Sequence, residues 1–326
     1  MRDHGGDLDQ AIGRHGGEVA EWIDLSTGIN RRPYPVPPLL DSAFRALPTR
    51  AEIAELENVA RAAWAVPESE PSETLALAGA QAAIQAIPRL APPGEARVLA
   101  PTYNEYAGAL GTAGWVVTEV SALEDLAGAD LAILANPNNP DGASHTPAAL
   151  ERLAGSVGRL VVDESFGDTC PDLSLLRRPA AANVLVLRSF GKFHGLAGIR
   201  LGFVTGPAIE IAALRAIAGP WPVSGPAIAI GRVALADQGW SEATRARLGT
   251  ETERIDALAR FAGWGLAGGT GLFRLYATPD ASEARRLLAE RRIWSRIFLW
   301  HPRWIRLGLP GTEDEWERLD RALRAF

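Results

Sequence analysis

The single lysine of this chain is the first residue that suggests covalent chemistry. The 326-residue sequence has 33 basic residues, and Lys192 is the one lysine beside 32 arginines. An arginine guanidinium stays protonated and cannot act as an amine nucleophile, whereas a lysine amine can form a Schiff base with a carbonyl carbon. If the reaction of this protein requires such a bond, Lys192 must supply it.

Several other polar residues follow directly after apolar runs. The runs TLALAG, DLAILANP, RLVVDES and NVLVLRSF read as buried strands, and they lead to Gly79, Asn139, Asp163 and Lys192. In sheets of parallel strands, ligand-binding groups collect in the loops that leave the carboxyl ends of the strands. The sequence therefore predicts that these four residues lie at one edge of a sheet.

The elements that would position them alternate along the chain. Further apolar runs at ARVLAP, GWVVTEV and RLGFVTG complete a series of strands separated by helical or Gly- and Pro-containing stretches. This alternation predicts an α/β domain with a mostly parallel central sheet. After Pro220 the pattern changes to long amphipathic helices and a few strands, which predicts a smaller α+β unit. We expect residues 1–45 to form an arm and part of the small domain, 46–244 the large domain, and 245–326 the C-terminal small domain.

The segment RSFGKFHGLAGIRLGF, residues 188–203, resembles the lysine segment of the fold-type I pyridoxal 5′-phosphate (PLP) enzymes, the class I/II aminotransferase family. The resemblance extends in order across most of the chain and implies the fold-type I transferase fold. It implies that Lys192 binds PLP covalently and later transfers a proton, and that Asp163 pairs with the pyridine nitrogen. It also implies that Ser189 and Arg200 hold the cofactor phosphate.

The loop of Gly79, Ala80 and Gln81 is a further candidate for binding that phosphate. It follows the first strand of the series and opens a predicted helix, whose unpaired N–H groups favour an anion. In the family that the chain resembles, this loop cradles the PLP phosphate. Ala80 can donate only its backbone N–H.

Two cofactor contacts have nearby competitors. Asn139, in NPNNPDG, resembles the asparagine that donates to the PLP ring oxygen, and Asn136 is the alternative. Tyr103, in APTYNEY, corresponds to the aromatic residue that stacks on the PLP ring, and Tyr106 is the alternative. The sequence favours Asn139 and Tyr103 without deciding between the members of each pair.

The N-terminal segment of the chain resembles one subfamily. The segments DHGGDLDQAIGRHG and IDLSTGIN are similar to the N-terminal arm of the cobalamin-pathway threonine-phosphate decarboxylases. This resemblance implies decarboxylation of L-threonine O-3-phosphate to (R)-1-amino-2-propanol O-2-phosphate, with His4 and Asn30 at the substrate. Arg306, in WIRLGLPG, resembles the arginine that grips the substrate carboxylate, and Arg296 is a second candidate for a substrate anion.

Two positions depart from the aminotransferase pattern. Phe166 stands three residues after Asp163, where aminotransferases commonly have a tyrosine that donates to the PLP ring oxygen. Leu47 stands before Pro48, where the family often has a tyrosine that reaches the neighbouring subunit's PLP phosphate. Both departures favour a decarboxylase over an aminotransferase.

Three functions remain as alternatives. The first is a PLP-dependent threonine-phosphate decarboxylase, the second an aminotransferase of histidinol-phosphate type, and the third a non-catalytic protein with the same fold. Because PLP labilises the Cα bond that lies perpendicular to its ring, the first two differ in substrate geometry, which a sequence does not display. By analogy with the family we expect a homodimer.

Composition narrows the partners and the compartment. A net charge of −6 argues against nucleic acid or an anionic membrane as a partner, and no apolar run reaches the length of a membrane span. The N-terminus lacks the apolar stretch of a signal peptide, and Cys170 alone cannot form an internal disulfide. We therefore expect a cytoplasmic enzyme with a small phosphorylated substrate, and we assign no metal.

Overall fold

The computed structural model describes residues 5–67 and 72–326. These residues pack into two units. The smaller unit comprises the described residues of Met1–Pro33, Pro140–Gly142 and Glu242–Phe326, and the larger unit those of Tyr34–Asn139 and Ala143–Ser241. The units thus change at residues 33/34 and 241/242, where the sequence predicted boundaries at 45/46 and 244/245.

The regular elements follow in chain order. In the described ranges the strands are β1 (Ile23–Asp24), β2 (Ser72–Leu77), β3 (Glu95–Leu99), β4 (Val116–Val120), β5 (Leu131–Ala135), β6 (Arg159–Asp163), β7 (Val184–Ser189), β8 (Gly202–Pro207), β9 (Gly265–Thr270), β10 (Phe273–Ala277), β11 (Ile293–Trp294), β12 (Arg296–Phe298) and β13 (His301–Gly308). The α-helices are α1 (Leu8–His15), α2 (Ser42–Arg45), α3 (Arg50–Ala63), α4 (Ala80–Ala86), α5 (Glu105–Thr112), α6 (Pro147–Ala154), α7 (Phe190–Phe193), α8 (Ala208–Ala218), α9 (Gly225–Ala236), α10 (Gln238–Phe261), α11 (Ala281–Ala289) and α12 (Glu313–Leu323).

The larger unit is built on a seven-stranded sheet of order β2-β8-β7-β6-β5-β3-β4. Strands β3 to β7 run parallel to one another, and β8 is antiparallel to both of its neighbours. All seven apolar runs identified in the sequence form the strands of this sheet. The predicted α/β fold class, with a mostly parallel central sheet, is confirmed.

Burial on both faces explains why these strands are so apolar. β5 is buried at every residue, and β7 is buried from Val184 to Arg188. Separate clusters of apolar side chains cover the two faces of the sheet, one including α3 and α9 and the other including α4, α5 and α8. A strand covered on both faces reads as a continuous apolar run rather than as an alternating one.

The reversed direction of β8 matters for the site. Because β8 is antiparallel, its amino end lies at the same edge of the sheet as the carboxyl ends of β2 and β7. Leu77 and Ser189, at the ends of those strands, both pair with Gly202 at the start of β8. Arg200, two residues before Gly202, therefore reaches the edge where the polar loops collect.

The helices begin where the sequence supplies caps. Thr49 and Glu52 form a reciprocal capping box at the start of α3, and Thr146 caps α6 with Pro147 in its first turn. Such side chains satisfy N–H groups that have no partner within the helix. No helix in the described ranges combines the length and the apolar character needed to cross a membrane.

The smaller unit contains an antiparallel sheet of order β12-β13-β10-β9 and a parallel pair formed by β1 and β11. The sequence predicted β10 and β13, and it treated RRIWSRIF as one strand that the structure divides into β11 and β12. It did not predict β9, GLAGGT. A Cβ on Gly269 would lie 2.5 Å from the Phe273 carbonyl oxygen, so this strand needs glycine where β-branched residues usually signal a strand.

Candidate active site

A cavity of about 170 Å³ lies in the larger unit at the edge of the sheet where the polar loops collect. It contains all nine residues that the sequence assigned to the cofactor, together with five others. The lining residues are Gly79, Ala80, Gln81, Ile84, Tyr103, Tyr106, Ala135, Asn139, Asp163, Ser165, Phe166, Ser189, Lys192 and Arg200.

The loop after β2 fits closely against Arg200. Gly79 has φ +83°, and a Cβ there would lie 2.8 Å from the Nη2 atom of Arg200. The positive φ favours glycine at this position, and the absence of a Cβ lets the Arg200 guanidinium lie close to the backbone. Arg200 itself has φ +54°, an unusual backbone conformation for a residue with a side chain. Such residues concentrate at functional sites, where the surrounding structure holds them in place.

Asp163, at the end of β6, is buried and held on both carboxylate oxygens. Its Oδ2 accepts a hydrogen bond of 2.7 Å from the Tyr106 hydroxyl, and its Oδ1 accepts one of 2.8 Å from the Ser165 backbone N–H. Burial, followed by the nearby charge of Asp163, raises the pKa of Tyr106 well above its ordinary value. Tyr106 therefore stays protonated and acts as a permanent donor to the carboxylate.

The two candidate aromatic residues occupy different places. Tyr106 is 2% exposed and hydrogen-bonded to Asp163, whereas Tyr103 is half-buried and its hydroxyl donates to Gln81 Oε1 at 3.1 Å. Gln81 in turn donates to Glu105 at 3.2 Å, so a chain of hydrogen bonds holds Tyr103. The two tyrosine rings meet edge to face at 5.6 Å. This arrangement favours Tyr103 as the stacking residue.

The two candidate asparagines also differ in burial and in hydrogen bonding. Asn136 is 1% exposed, and its amide exchanges hydrogen bonds with the backbone of His145, which closes the turn after β5. Asn139 is half-buried and lines the cavity. The structure thus favours Asn139 as the residue that meets a ligand.

Lys192 lies on the short helix α7, directly after β7. Its Nζ atom lies 5.8 Å from the centre of the Phe166 ring, which forms part of the cavity wall. Two residues further along the chain, the His194 ring stacks between the rings of Phe190 at 4.2 Å and Trp240 at 5.4 Å. Burial lowers the pKa of His194 to about 4, so this side chain is neutral at pH 7 and serves as a packing group.

The smaller unit holds the predicted arginines. Arg296 and Arg306 are cross-strand partners on β12 and β13. Arg306 is 6% exposed, donates to the Ser26 carbonyl oxygen at 2.7 Å, and lies 4.9 Å from the centre of the Phe273 ring. Burial, and next the charge of Arg296, lower the pKa of Arg306 to about 9, so it remains charged at pH 7.

The other two predicted substrate residues, Asn30 and His4, belong to the N-terminal part of the chain. Asn30 is 4% exposed, and its Oδ1 accepts hydrogen bonds from the Arg32 backbone N–H at 3.0 Å and from Arg247 at 3.1 Å. These two donors fix the orientation of the amide. His4 lies outside the described residues.

Sequence reasoning did not assign some of the residues that shape the cavity. Tyr106 was considered for stacking, but its hydrogen bond to Asp163 was not foreseen, and Ile84, Ala135 and Ser165 gave no signal. A sequence feature that was not used lies beside two of the predicted cofactor residues, directly after Asp163 and directly before Ser189. Glu164 and Arg188 are charged residues beside buried apolar runs, and charged residues are rarely buried unless they are paired.

The donors in the cavity match the three parts of PLP. Lys192 offers a primary amine for the aldehyde, and the buried carboxylate of Asp163 suits a protonated ring nitrogen. Ser189, Arg200 and the glycine-containing loop offer a hydroxyl, a guanidinium and backbone N–H groups for the phosphate. The residues present therefore fit this cofactor.

Relatives of the chain cover it from end to end. It is 40% identical over 333 residues to a threonine-phosphate decarboxylase of Pseudomonas aeruginosa, an alignment that covers 100% of this chain and 98% of that protein. It is 40% identical over 327 residues to a threonine-phosphate decarboxylase of a Sinorhizobium species, with 98% and 97% covered. The subfamily resemblance seen in the sequence is confirmed.

Solved structures share the fold. The histidinol-phosphate aminotransferase of Sinorhizobium meliloti, solved in complex with pyridoxal-5′-phosphate, matches with a TM-score of 0.80 at 21% identity, covering 100% of this chain and 95% of that one. At this identity the match shows the fold alone. The sequence model for aminotransferase class I and II matches residues 42–326. The chain therefore belongs to the class I and II aminotransferase family.

Proposed function

We propose that this protein is a PLP-dependent threonine-phosphate decarboxylase of cobalamin biosynthesis. It converts L-threonine O-3-phosphate to (R)-1-amino-2-propanol O-2-phosphate and carbon dioxide. The observation that carries the proposal is the 40% identity, over essentially the whole chain, to two proteins that bear this name. The cavity, with its complete set of predicted cofactor ligands, supports the same conclusion.

Each of the predicted cofactor residues would contact a different part of PLP. Lys192 binds it covalently, Asp163 keeps its ring nitrogen protonated, and Asn139 donates to its ring oxygen. Gly79, Ala80, Gln81, Ser189 and Arg200 hold its phosphate, while Tyr103 stacks on its ring. When bound, PLP supplies an electron sink for the bond that breaks at the substrate Cα. The Tyr106 hydroxyl and the Ser165 N–H keep Asp163 in place for this role.

Decarboxylation also requires that the bond from Cα to the carboxylate breaks rather than the bond from Cα to hydrogen. The rotation of the substrate about its Cα–N bond decides whether the carboxylate or the hydrogen leaves. In decarboxylation the bond from Cα to the carboxylate breaks, carbon dioxide leaves, and the electron pair of that bond stays on the substrate, where bound PLP would stabilise it. The Lys192 amine, released from the cofactor once the substrate amine has replaced it, would then deliver a proton to that carbon. A firm grip on the substrate phosphate would fix this rotation, because binding energy at a distant group can orient the reacting bond.

An arginine pair in the smaller unit is suited to the substrate anions. Like charges directly opposite one another on neighbouring strands repel, so the pairing of Arg296 with Arg306 favours a bound anion between them. Arg306 is the proposed ligand of the carboxylate, and Arg296 of a second anionic group. Asn30 and His4 are proposed further substrate contacts, carried by the resemblance to the subfamily.

We place this enzyme in the cytoplasm as a homodimer. Three large apolar side chains of the larger unit are exposed close together in sequence: Leu40, Phe44 and Leu47, at 78%, 66% and 64%. Exposed apolar clusters of this kind mark interaction surfaces. Light scattering of the purified protein tests the dimer, and a monomeric mass at micromolar concentration contradicts it.

One assay separates this function from its alternatives. Threonine phosphate supplied without a keto acid should release carbon dioxide. A requirement for 2-oxoglutarate would instead indicate an aminotransferase of histidinol-phosphate type. Borohydride reduction followed by peptide mapping should place the cofactor on Lys192. Full turnover by a Lys192→Ala variant would overturn the proposal, and a colourless protein would favour a non-catalytic role.

A further inference from the structure

A buried cluster of charges lies next to the cavity residues in sequence. Arg188, on β7, forms an ion pair with Glu164, whose Oε2 lies 2.9 Å from Nη2, and its Nη1 donates a hydrogen bond to Asp168 Oδ1 at 3.0 Å. Arg188 and Glu164 are 2% and 0% exposed, and Asp168 is 8% exposed. One guanidinium thus joins two carboxylates inside the larger unit.

Neutral groups complete this cluster. The Ser174 hydroxyl donates to Glu164 Oε2 at 2.6 Å and accepts from Arg188 Nη2 at 2.9 Å. The Trp64 indole donates to Asp168 Oδ1 at 2.9 Å. A Cβ on Gly167 would lie 3.0 Å from Arg188 Nη1, so the chain fits closely around the guanidinium.

Such a cluster is poorly explained as a source of stability. Removing charges from water is costly, and buried ion pairs can often be replaced by apolar residues at little or no loss of stability. Burial raises the pKa of Glu164 despite the neighbouring Arg188, which reflects that cost. What the cluster provides is a fixed geometry, because a planar guanidinium accepts partners only in set directions.

The buried charge cluster fixes the positions of the ends of β6 and β7 relative to each other. Glu164 directly follows Asp163, and Arg188 directly precedes Ser189. Successive side chains of an extended chain point to opposite faces, so when Asp163 and Ser189 line the cavity their neighbours point away from it. The Glu164 N–H donates to the Leu187 carbonyl oxygen at 2.9 Å, which keeps the two strand ends in register at this point.

We infer that Arg188 is a positioning residue for the cofactor: its bonds to Glu164 and Ser174 fasten the ends of β6 and β7 and thereby hold Asp163 and Ser189 at the spacing that PLP requires. This inference rests on the proposed cofactor roles of Asp163 and Ser189. Arg188 acts through them and touches neither substrate nor cofactor.

The test uses two variants of the cluster and one control. Arg188→Lys keeps the charge but cannot reach all partners of the guanidinium, and Ser174→Ala removes the bridging hydroxyl while leaving every charge in place. The control is Arg159→Lys at the opposite end of β6, where Arg159 pairs with Glu210 at 2.6 Å and is 13% exposed. Each protein is stripped of cofactor and titrated with PLP, and the pH midpoint of the visible absorption band is measured after reloading.

We expect Arg188→Lys and Ser174→Ala to weaken PLP binding by about tenfold, as loss of a group that orients a ligand-binding residue typically does, and to shift the pH midpoint. Arg159→Lys should keep the wild-type affinity for PLP and the wild-type pH midpoint, while its free energy of unfolding in urea should fall. Ser174→Ala keeps the test valid if Arg188→Lys fails to fold.

Two further variants, Asp163→Asn and Ser189→Ala, distinguish a failure of the inference about Arg188 from a failure of the proposed cofactor site. If Asp163→Asn and Ser189→Ala weaken PLP binding while the two cluster variants bind as wild type does, the inference is wrong and the proposed site stands. If Arg159→Lys loses affinity as much as Arg188→Lys, the effect is one of general stability and the inference is also wrong. If Asp163→Asn and Ser189→Ala bind PLP normally, the cofactor assignment itself is overturned.

Discussion

His194 should make the protein sensitive to acid. The side chain is 3% exposed and lies between the rings of Phe190 and Trp240. Burial lowers its pKa from an ordinary value of 6.5 to about 4. As the pH falls below 6.5, the unfolded chain takes up a proton at this position, whereas the folded protein does so only near pH 4.

The size of the effect follows from these two values. Each unit of pH in this window changes the free energy of unfolding by about 1.4 kcal/mol when one state binds a proton and the other does not. His194 therefore contributes about 3 kcal/mol of stability above pH 6.5, of which about 2 kcal/mol is lost by pH 5 and the rest near pH 4.

The assay compares the wild type with His194→Phe, which keeps an aromatic ring in the stack and cannot be protonated. Urea unfolding is followed from pH 7.5 to 4.5 at one protein concentration and with excess PLP, because both binding and assembly shift apparent stability. The difference in unfolding free energy between the two proteins should change by 2 to 3 kcal/mol in favour of the variant as the pH falls.

A matched control is the same substitution at half-buried His15, beside Trp22. His15→Phe measures what replacing a histidine by phenylalanine beside a tryptophan does by itself, and the pH dependence of His194→Phe is judged against it. A difference between wild type and His194→Phe that stays constant from pH 7.5 to 4.5 would refute the reasoning, because it would mean that the ring is protonated as readily in the folded protein as in the unfolded one.

Three further substitutions test the site. Tyr106→Phe should lower the free energy of unfolding by about 1.5 to 3 kcal/mol, since buried Asp163 loses a donor, and a loss under 0.5 kcal/mol in urea unfolding would contradict this. Phe166→Tyr should lower the pH midpoint of the visible absorption band by adding a donor to the cofactor ring oxygen, and an unchanged titration would show that the missing hydroxyl is unimportant. Arg306→Lys should raise the KM for threonine phosphate by about 10- to 100-fold through loss of a bidentate grip, and an unchanged KM in steady-state assays would remove Arg306 from the substrate site.

Local patterns were sufficient to predict much of this protein. A strand buried on both faces must be apolar, so the seven runs that form the large sheet could be found without knowing how they pair. Lys192 and Asp163 could be singled out because each follows such a run. The chain order of the motifs was also enough to identify the family, since that order is written in the sequence.

Other features depended on contacts between residues far apart in the chain. The antiparallel course of β8, which brings Arg200 to the edge of the sheet, follows from strand pairing rather than from local propensity. β9 was missed because Gly269 is required by the close backbone of the neighbouring strand β10, and in a sequence glycine signals a turn.

The sequence by itself determined the fold class and the family, and it predicted nine cofactor-binding residues that all line one cavity, because burial and catalytic chemistry both restrict residue type at single positions. The tertiary structure gave similar residues different surroundings, because it set their burial and their hydrogen-bond partners. Tyr106 meets Asp163 across 57 positions of sequence, and Arg188 meets Glu164 across 24. A hydrogen bond depends on distance in space, and the spacing of residues along the chain does not specify that distance.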